Sequence, residues 1–288
     1  MRASPSEPTV SGMSTKNAVI TGASRGLGRA LAAGLARAGY SLVIDARDAG
    51  ALRRAADAIQ ARAPYVTVTA LPGDITDPGH RKALAEAAGG AAQLLVNNAG
   101  TLGAAPLPAL ADYPPDKLRD AFETNVIAPI ALTQLLLPEL RANGGAVLNV
   151  TSDAAVEAYS GWGGYGAAKA ALEQASNVLA AEETAIRVWW VDPGDIRTDM
   201  HQAAFPGEDI SDRPLPESVV PPFLRLITER LPSGRYRAAE VGGGSPDAML
   251  SQGDNPAHIR ADGGTSPPIP PRPHRDNSGG LVRGNDGF

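Results

Sequence analysis

The sequence predicts an α/β protein, a doubly wound parallel sheet of about seven strands with helices on both faces. Three observations carry that expectation. Short apolar or β-branched runs alternate with alanine-rich, helix-favouring stretches from residue 16 to about residue 241. A glycine turn, Gly22-Ala-Ser24-Arg25-Gly26-Leu27-Gly28, follows the first run at once. After the fifth run, a proline-free stretch carries Tyr165 and Lys169 four residues apart, which a helix stacks on one face.

The elements follow in order. Residues 1–14 are rich in Ser, Pro and Thr and read as a disordered lead, so a single domain is expected over 15–241. Asn17 to Thr21 forms the first strand, and Arg29 to Ala38 continues the helix opened by the glycine turn. Glycines there allow a tight turn and bring backbone amides, with the helix N-terminus, close to a pyrophosphate. Ser41 to Ile44 is the second strand and ends at Asp45-Ala46-Arg47-Asp48. In a dinucleotide fold this point inspects the adenosine ribose: a carboxylate suits a free 2′-hydroxyl, arginine a 2′-phosphate. Arg47 and Arg25 can converge on such a phosphate while Asp45 points to the other face, so NADP is expected over NAD.

Ala51 to Ala63 reads as a helix and Tyr65 to Ala70 as the third strand. Asp74, in the loop Gly73-Asp74-Ile75-Thr76-Asp77, is expected either to accept from the adenine amino group or to cap the helix around His80 to Ala88. Gln93 to Val96 is the fourth strand, and in Asn97-Asn98-Ala99-Gly100 the amides can tie loops together while small residues leave room for a nicotinamide ribose. A proline-rich loop from Thr101 leads to a helix over about Asp116 to Leu140, with Asn125 inside it, an amide where helices disfavour one. Ala146 to Thr151, Gly166 to Leu179 and Ile186 to Val191 are the fifth strand, the Tyr165 helix and the sixth strand. Trp189 and Trp190 are adjacent, so one faces each side of the sheet, in the core or at a subunit contact. Asp192-Pro193-Gly194-Asp195-Ile196-Arg197-Thr198 closes that strand in a turn. An irregular loop over 199–218, a helix at Val220 to Arg230 and a strand at Gly234 to Tyr236 complete the domain. Residues 242–288 hold ten Gly and seven Pro, 17 of 47, and read as a disordered tail.

The chemistry concentrates after the fifth strand. An ammonium beside the Tyr165 phenol favours the phenolate and lowers the phenol pKa toward the working range of a general acid or base. Ser152, at the strand end, can donate to an oxygen that becomes negative. Singly, each is commonplace: a tyrosine beside a solvated lysine, and a serine that caps a helix.

Bulk properties bound the partners. A 288-residue chain with 43% hydrophobic residues can bury a large core, and a net charge of −5 exerts no pull on nucleic acid or an anionic membrane. A small-molecule substrate is expected. The absence of cysteine excludes disulfides and thiol catalysis. His80, His201, His258 and His274 are scattered and read as surface or loop, so no metal is expected. The N-terminus has no apolar signal core and no run is long enough for a membrane span, which points to a cytoplasmic protein.

Taken together, Thr21-Gly22-x-x-x-Gly26-x-Gly28, Asn97-Asn98-Ala99-Gly100, Asn125, Ser152, Tyr165-x-x-x-Lys169 and Pro193-Gly194 resemble, in order and spacing, the motif set of the short-chain dehydrogenase/reductase family. The resemblance covers residues 16 to about 240. It implies a Rossmann fold, bound NAD(P) and a homodimer or homotetramer. It also implies a tetrad: Tyr165 as acid or base, Lys169 as its pKa partner and ribose ligand, Ser152 as carbonyl-oxygen donor and Asn125 as anchor of a proton-relay water. The cofactor contacts implied are Gly22, Ser24, Arg25, Gly26, Leu27, Gly28, Arg47, Asp74, Ile75, Asn98, Ala99, Gly100, Tyr165, Lys169, Pro193, Gly194, Ile196 and Thr198. The expected activity is NADPH-dependent reduction of a ketone or aldehyde, or the reverse. A sugar-nucleotide epimerase or dehydratase, and a non-catalytic NADP-binding regulator, are the alternatives. The first is disfavoured by glycine spacing, the second by the complete tetrad.

Overall fold

Seven parallel strands form one sheet in the computed structural model, which describes residues 16–243. The expected lead over 1–14 lies outside the described residues, as does the expected tail over 242–288 apart from Gly242 and Gly243, which close the last helix instead. The elements run β1 (Lys16–Ile20), α1 (Gly26–Arg37), β2 (Tyr40–Ala46), α2 (Ala49–Arg62), β3 (Val68–Pro72), α3 (Pro78–Ala88), β4 (Ala92–Asn97), α4 (Pro115–Phe122), α5 (Ala128–Ala142), β5 (Ala146–Val150), α6 (Gly163–Glu182), β6 (Arg187–Asp192), α7 (Asp199–Ala204), α8 (Val220–Glu229), β7 (Gly234–Arg237) and α9 (Ala238–Gly243). The strand order is β3-β2-β1-β4-β5-β6-β7. The winding direction therefore reverses between β1 and β4, and a crevice opens outside their carboxyl ends.

Both faces of the sheet are covered, which is why its strands read as near-continuous apolar runs. Val19, Val43, Leu95, Val147, Val188 and Trp190 pack with Leu84 of α3 and Leu132, Leu136 and Leu140 of α5. Their strand neighbours Ile20, Ile44, Leu94, Leu148 and Trp189 are equally buried and alternate to the opposite face. There α1 packs against α2 and α8. The adjacent tryptophans thus serve two cores. The Trp189 indole N–H donates to the carbonyls of Leu231 (2.9 Å) and Pro232 (3.1 Å), just beyond α8.

Local chemistry moves several boundaries. The third strand starts at Val68 rather than Tyr65, because the Gln60 side chain donates to Val66 O (2.7 Å) and accepts from Val68 N (3.1 Å), occupying the chain before the ladder. Asp77, not Asp74, caps α3, accepting from Gly79 N (3.2 Å) and His80 N (3.0 Å), with Pro78 in the first turn. The Asp74 carboxylate instead closes a local turn on Thr76 N (2.9 Å). Helix α6 begins at Gly163, three residues earlier than expected. Its glycines admit close neighbours: a Cβ on Gly164 would lie 2.2 Å from the Tyr113 ring, and one on Gly166 2.5 Å from Ala154 O. The 199–218 loop contains α7, capped by Thr198, and a short 3₁₀ turn at Pro216–Val219. Between α4 and α5 the chain winds one π-type turn, Glu123–Ile127, and Asn125 sits in it. No helix among the described residues is long and apolar enough to cross a membrane.

Candidate active site

A cleft of about 1820 Å³ lies along the carboxyl ends of the strands and holds every expected cofactor and catalytic residue except Asn125. Its volume exceeds that of a usual small-molecule pocket. The glycine turn forms one wall. Gly22 (φ +69°) and Gly26 (φ +54°) lie in the left-handed region, and a Cβ on Gly28 would lie 2.3 Å from Gly22 O. Helix α1 starts without a side-chain cap, leaving its first N–H groups to an anionic ligand. Asn98 braces the turn from the end of β4, donating to Thr21 O (2.9 Å) and Gly22 O (3.1 Å).

The end of β2 is arranged differently from a surface turn. Asp45 is buried, and its carboxylate accepts from Gly22 N (2.7 Å) and meets His80 Nε2 (3.1 Å). His80 is therefore interior, a correction to its reading as surface or loop, and His201 is likewise enclosed, with its ring on Phe205 (4.9 Å). His258 and His274 lie outside the described residues. Arg25 and Arg47 line the cleft, with Arg25 paired to Asp199 at 2.6 Å across an exposed gap.

At the other end, Ser152, Tyr165 and Lys169 come together at the carboxyl end of β5. Lys169 is 4% exposed, not a solvated lysine, and its Nζ donates to Val150 O (2.8 Å). Its Nζ lies 5.6 Å from the centre of the Tyr165 ring. Burial lowers the Lys169 pKa to about 8, with the nearby Glu173 carboxylate opposing. The Tyr165 phenol moves against the sequence-based expectation. Burial pushes its pKa above the ordinary tyrosine value, the Asp192 and Asp153 charges add to this, and the Ser152 hydroxyl opposes. The ammonium that was expected to lower it is engaged by a backbone carbonyl.

Asn125 stands behind the cleft wall, fully buried. Its amide donates to Thr101 O (2.8 Å) and accepts from Thr101 N (2.9 Å), so the side chain holds the segment after Gly100. Two further features escaped the sequence. One is a buried amide ladder, Asn97 Nδ2 to Asn149 Oδ1 (2.8 Å) and Asn149 Nδ2 to Ser176 Oγ (2.7 Å), which locks β4, β5 and α6. The other is an ionic clamp. Glu173 accepts from Thr151 Oγ1 (2.7 Å) and Arg235 Nε (3.0 Å), and Arg235 Nη2 donates to Ser152 O (3.2 Å). Val150, Thr151 and Ser152 are thus each pinned, by Lys169, Glu173 and Arg235.

The sequence model described as short chain dehydrogenase matches residues 16–209. The chain belongs to the short chain dehydrogenase family. Within that oxidoreductase family, it is 37% identical to the sepiapterin reductase of Meriones unguiculatus over 199 residues, 65% of this chain and 76% of that one. A short chain dehydrogenase structure from Escherichia coli CFT073, complexed with NADPH, superposes with a TM-score of 0.73 at 28% identity, covering 81% of this chain and all of that one (100%). An alcohol dehydrogenase of Thermococcus sibiricus complexed with 5-hydroxy-NADP superposes with a TM-score of 0.70 at 25% identity, covering 77% of this chain and 95% of that one.

Proposed function

We propose that this dehydrogenase is an NADPH-dependent reductase of a ketone or aldehyde, working in either direction, with Tyr165 as the general acid and base. The observation that carries the reading is the convergence of Ser152 with the buried Tyr165 and Lys169 at one end of a cleft whose other end is the glycine turn. The adenosine end fits a 2′-phosphate: Asp45 is engaged by Gly22 N and His80, while Arg25 and Arg47 line the cleft. NADP-bound structural relatives support that cofactor. When bound, the reduced nicotinamide supplies a hydride to the carbonyl carbon. Tyr165 delivers the proton to the carbonyl oxygen, and Ser152 donates a hydrogen bond to that oxygen as charge develops. Lys169 holds positive charge next to the phenol, and Asn125 fixes the backbone at Thr101. A cytoplasmic location and a homodimer or homotetramer belong to the same proposal, and light scattering tests the assembly.

Tyr165→Phe keeps the ring and removes the acid. Cofactor titration should be unaltered, and turnover should fall by roughly 10²- to 10⁴-fold. Near wild-type turnover in that variant would end the assignment.

A further inference from the structure

We propose that Asp153 is a specificity-determining residue, selecting carbonyl substrates that carry a hydrogen-bond donor, a hydroxyl or an ammonium, on the carbon next to the reacting carbonyl. The inference rests on the reductase reading above and names its substrate class.

It starts from one proton. The Ser152 hydroxyl accepts from Ala154 N (3.2 Å) and donates to Asp153 Oδ1 (2.9 Å). A serine hydroxyl has a single proton to give, and here a carboxylate takes it in a charge-assisted bond. To donate to a developing oxyanion, Ser152 must leave Asp153. Tyr159 holds the other carboxylate oxygen, its hydroxyl donating to Oδ2 (3.0 Å). Ser152, Asp153, Tyr159 and Tyr165 all line the cleft, and Tyr159 is 46% exposed, so this hydrogen-bond chain faces the space open to a substrate.

The charge is uncompensated as well as accessible. Glu173, Asp192 and Asp195 each lie within ion-pair distance of an arginine or histidine, whereas Asp153 has no such partner among the described residues. An ionised carboxylate offers about four acceptor positions, and the two side-chain bonds leave room for another donor. A carbonyl oxygen within hydrogen-bond reach of Ser152 Oγ lies within roughly 6 Å of Asp153 Oδ1, because Oγ is itself 2.9 Å from that oxygen. That span matches a donor on the carbon adjacent to the carbonyl. Such a donor replaces the Ser152 hydroxyl on Asp153, and the freed serine proton turns to the carbonyl oxygen. A plain ketone breaks the Ser152–Asp153 bond with nothing to replace it. A carboxylate in the same place meets like charge.

The test uses three ketones that differ at that carbon, 2-hydroxyacetophenone, propiophenone and phenylglyoxylate, with NADPH and the full chain. The hydroxyketone is intrinsically more reactive, so the readout is how kcat/KM ratios change between enzymes. In Asp153→Leu the hydroxyketone-to-propiophenone ratio should fall at least about tenfold. In Asp153→Asn, which keeps the shape and serves if the leucine variant fails to fold, phenylglyoxylate should gain about tenfold relative to propiophenone. Ratios within twofold of wild type in the folded variants overturn the proposal while leaving the reductase reading intact. A wild type that binds NADPH but reduces none of the three overturns both.

Discussion

Replacing Glu173 with glutamine should move the pH profile rather than merely weaken the enzyme. Glu173 lies one helical turn beyond Lys169 on α6, and its carboxylate raises the lysine pKa against the burial that brings it down to about 8. Side chains four apart on a helix are about 6 Å apart, and two unit charges at that distance interact by roughly 3 kcal/mol at an effective dielectric near 20. That is about two pH units, and Arg235, 3.0 Å from Glu173, cancels part of it. A net shift on the order of one pH unit remains. Removing the carboxylate makes the ammonium lose its proton at lower pH. The alkaline limb of kcat/KM, where Lys169 must stay charged, should therefore move about one unit toward acid, with the acidic limb in place. Glutamine preserves the shape and can still bond Thr151. A general loosening would lower kcat/KM at every pH alike, so full pH–rate profiles with NADPH and one reducible ketone separate the two. An unmoved alkaline limb would refute the reasoning.

Arg47→Ala should weaken NADPH by about 10- to 100-fold and leave NADH nearly unchanged, as one guanidinium–phosphate contact predicts; equal losses in paired fluorescence titrations would refute the 2′-phosphate contact. Trp189→Ala empties a fully buried site and strands two carbonyls, costing about 3 to 5 kcal/mol, or roughly 10 °C in Tm for a domain of this size, measurable by thermal unfolding. Lys169→Met should be more stable than wild type at neutral pH, and the gap should close as pH rises. The folded lysine has a pKa of about 8, below its unfolded value of 10.5, so between those values the unfolded state binds more protons and wild-type stability climbs with pH. The full gap is about 3 kcal/mol as an upper estimate, and denaturant melts at pH 7 and pH 10 should show it shrinking.

The fold was legible because a parallel sheet covered on both faces needs uninterrupted apolar strands, and runs such as Leu42–Ile44 and Leu94–Val96 have no other use in a chain with so many alanine-rich helices. The glycine turn and the Tyr165 helix were legible for a related reason: each is a local pattern in which every needed residue lies within a few positions. What stayed hidden depends on sheet order. Asp45 and His80 meet across 35 residues, and Glu173 and Arg235 across 62. Only the neighbouring places of β6 and β7 bring that arginine behind Ser152. In sequence such residues look like solvated charges, and their partners cannot be inferred from spacing. Asn125 shows the middle case. Its awkward place in a helix signalled a role, but not that the helix would widen there and that both ends of the amide would hold Thr101.

The electrostatics bear on the direction of the proposed reaction. An ammonium beside a phenol suggests a phenolate at neutral pH, yet Tyr165 is pushed the other way by burial and by two carboxylates. Lys169, near 8, is still mostly charged at neutral pH. Both groups therefore carry their protons there. A protonated phenol is what carbonyl reduction requires, because the carbonyl oxygen must take a proton as hydride arrives. Alcohol oxidation needs the same phenol ionised, which this environment opposes until the pH is high. Asp153 and Asp192, whose charges raise the phenol, thus bias the site toward reduction near neutrality. Reduction should be the faster direction at pH 7, with oxidation gaining as pH rises, and the reverse order in the two initial rates would count against the proposed role of Tyr165.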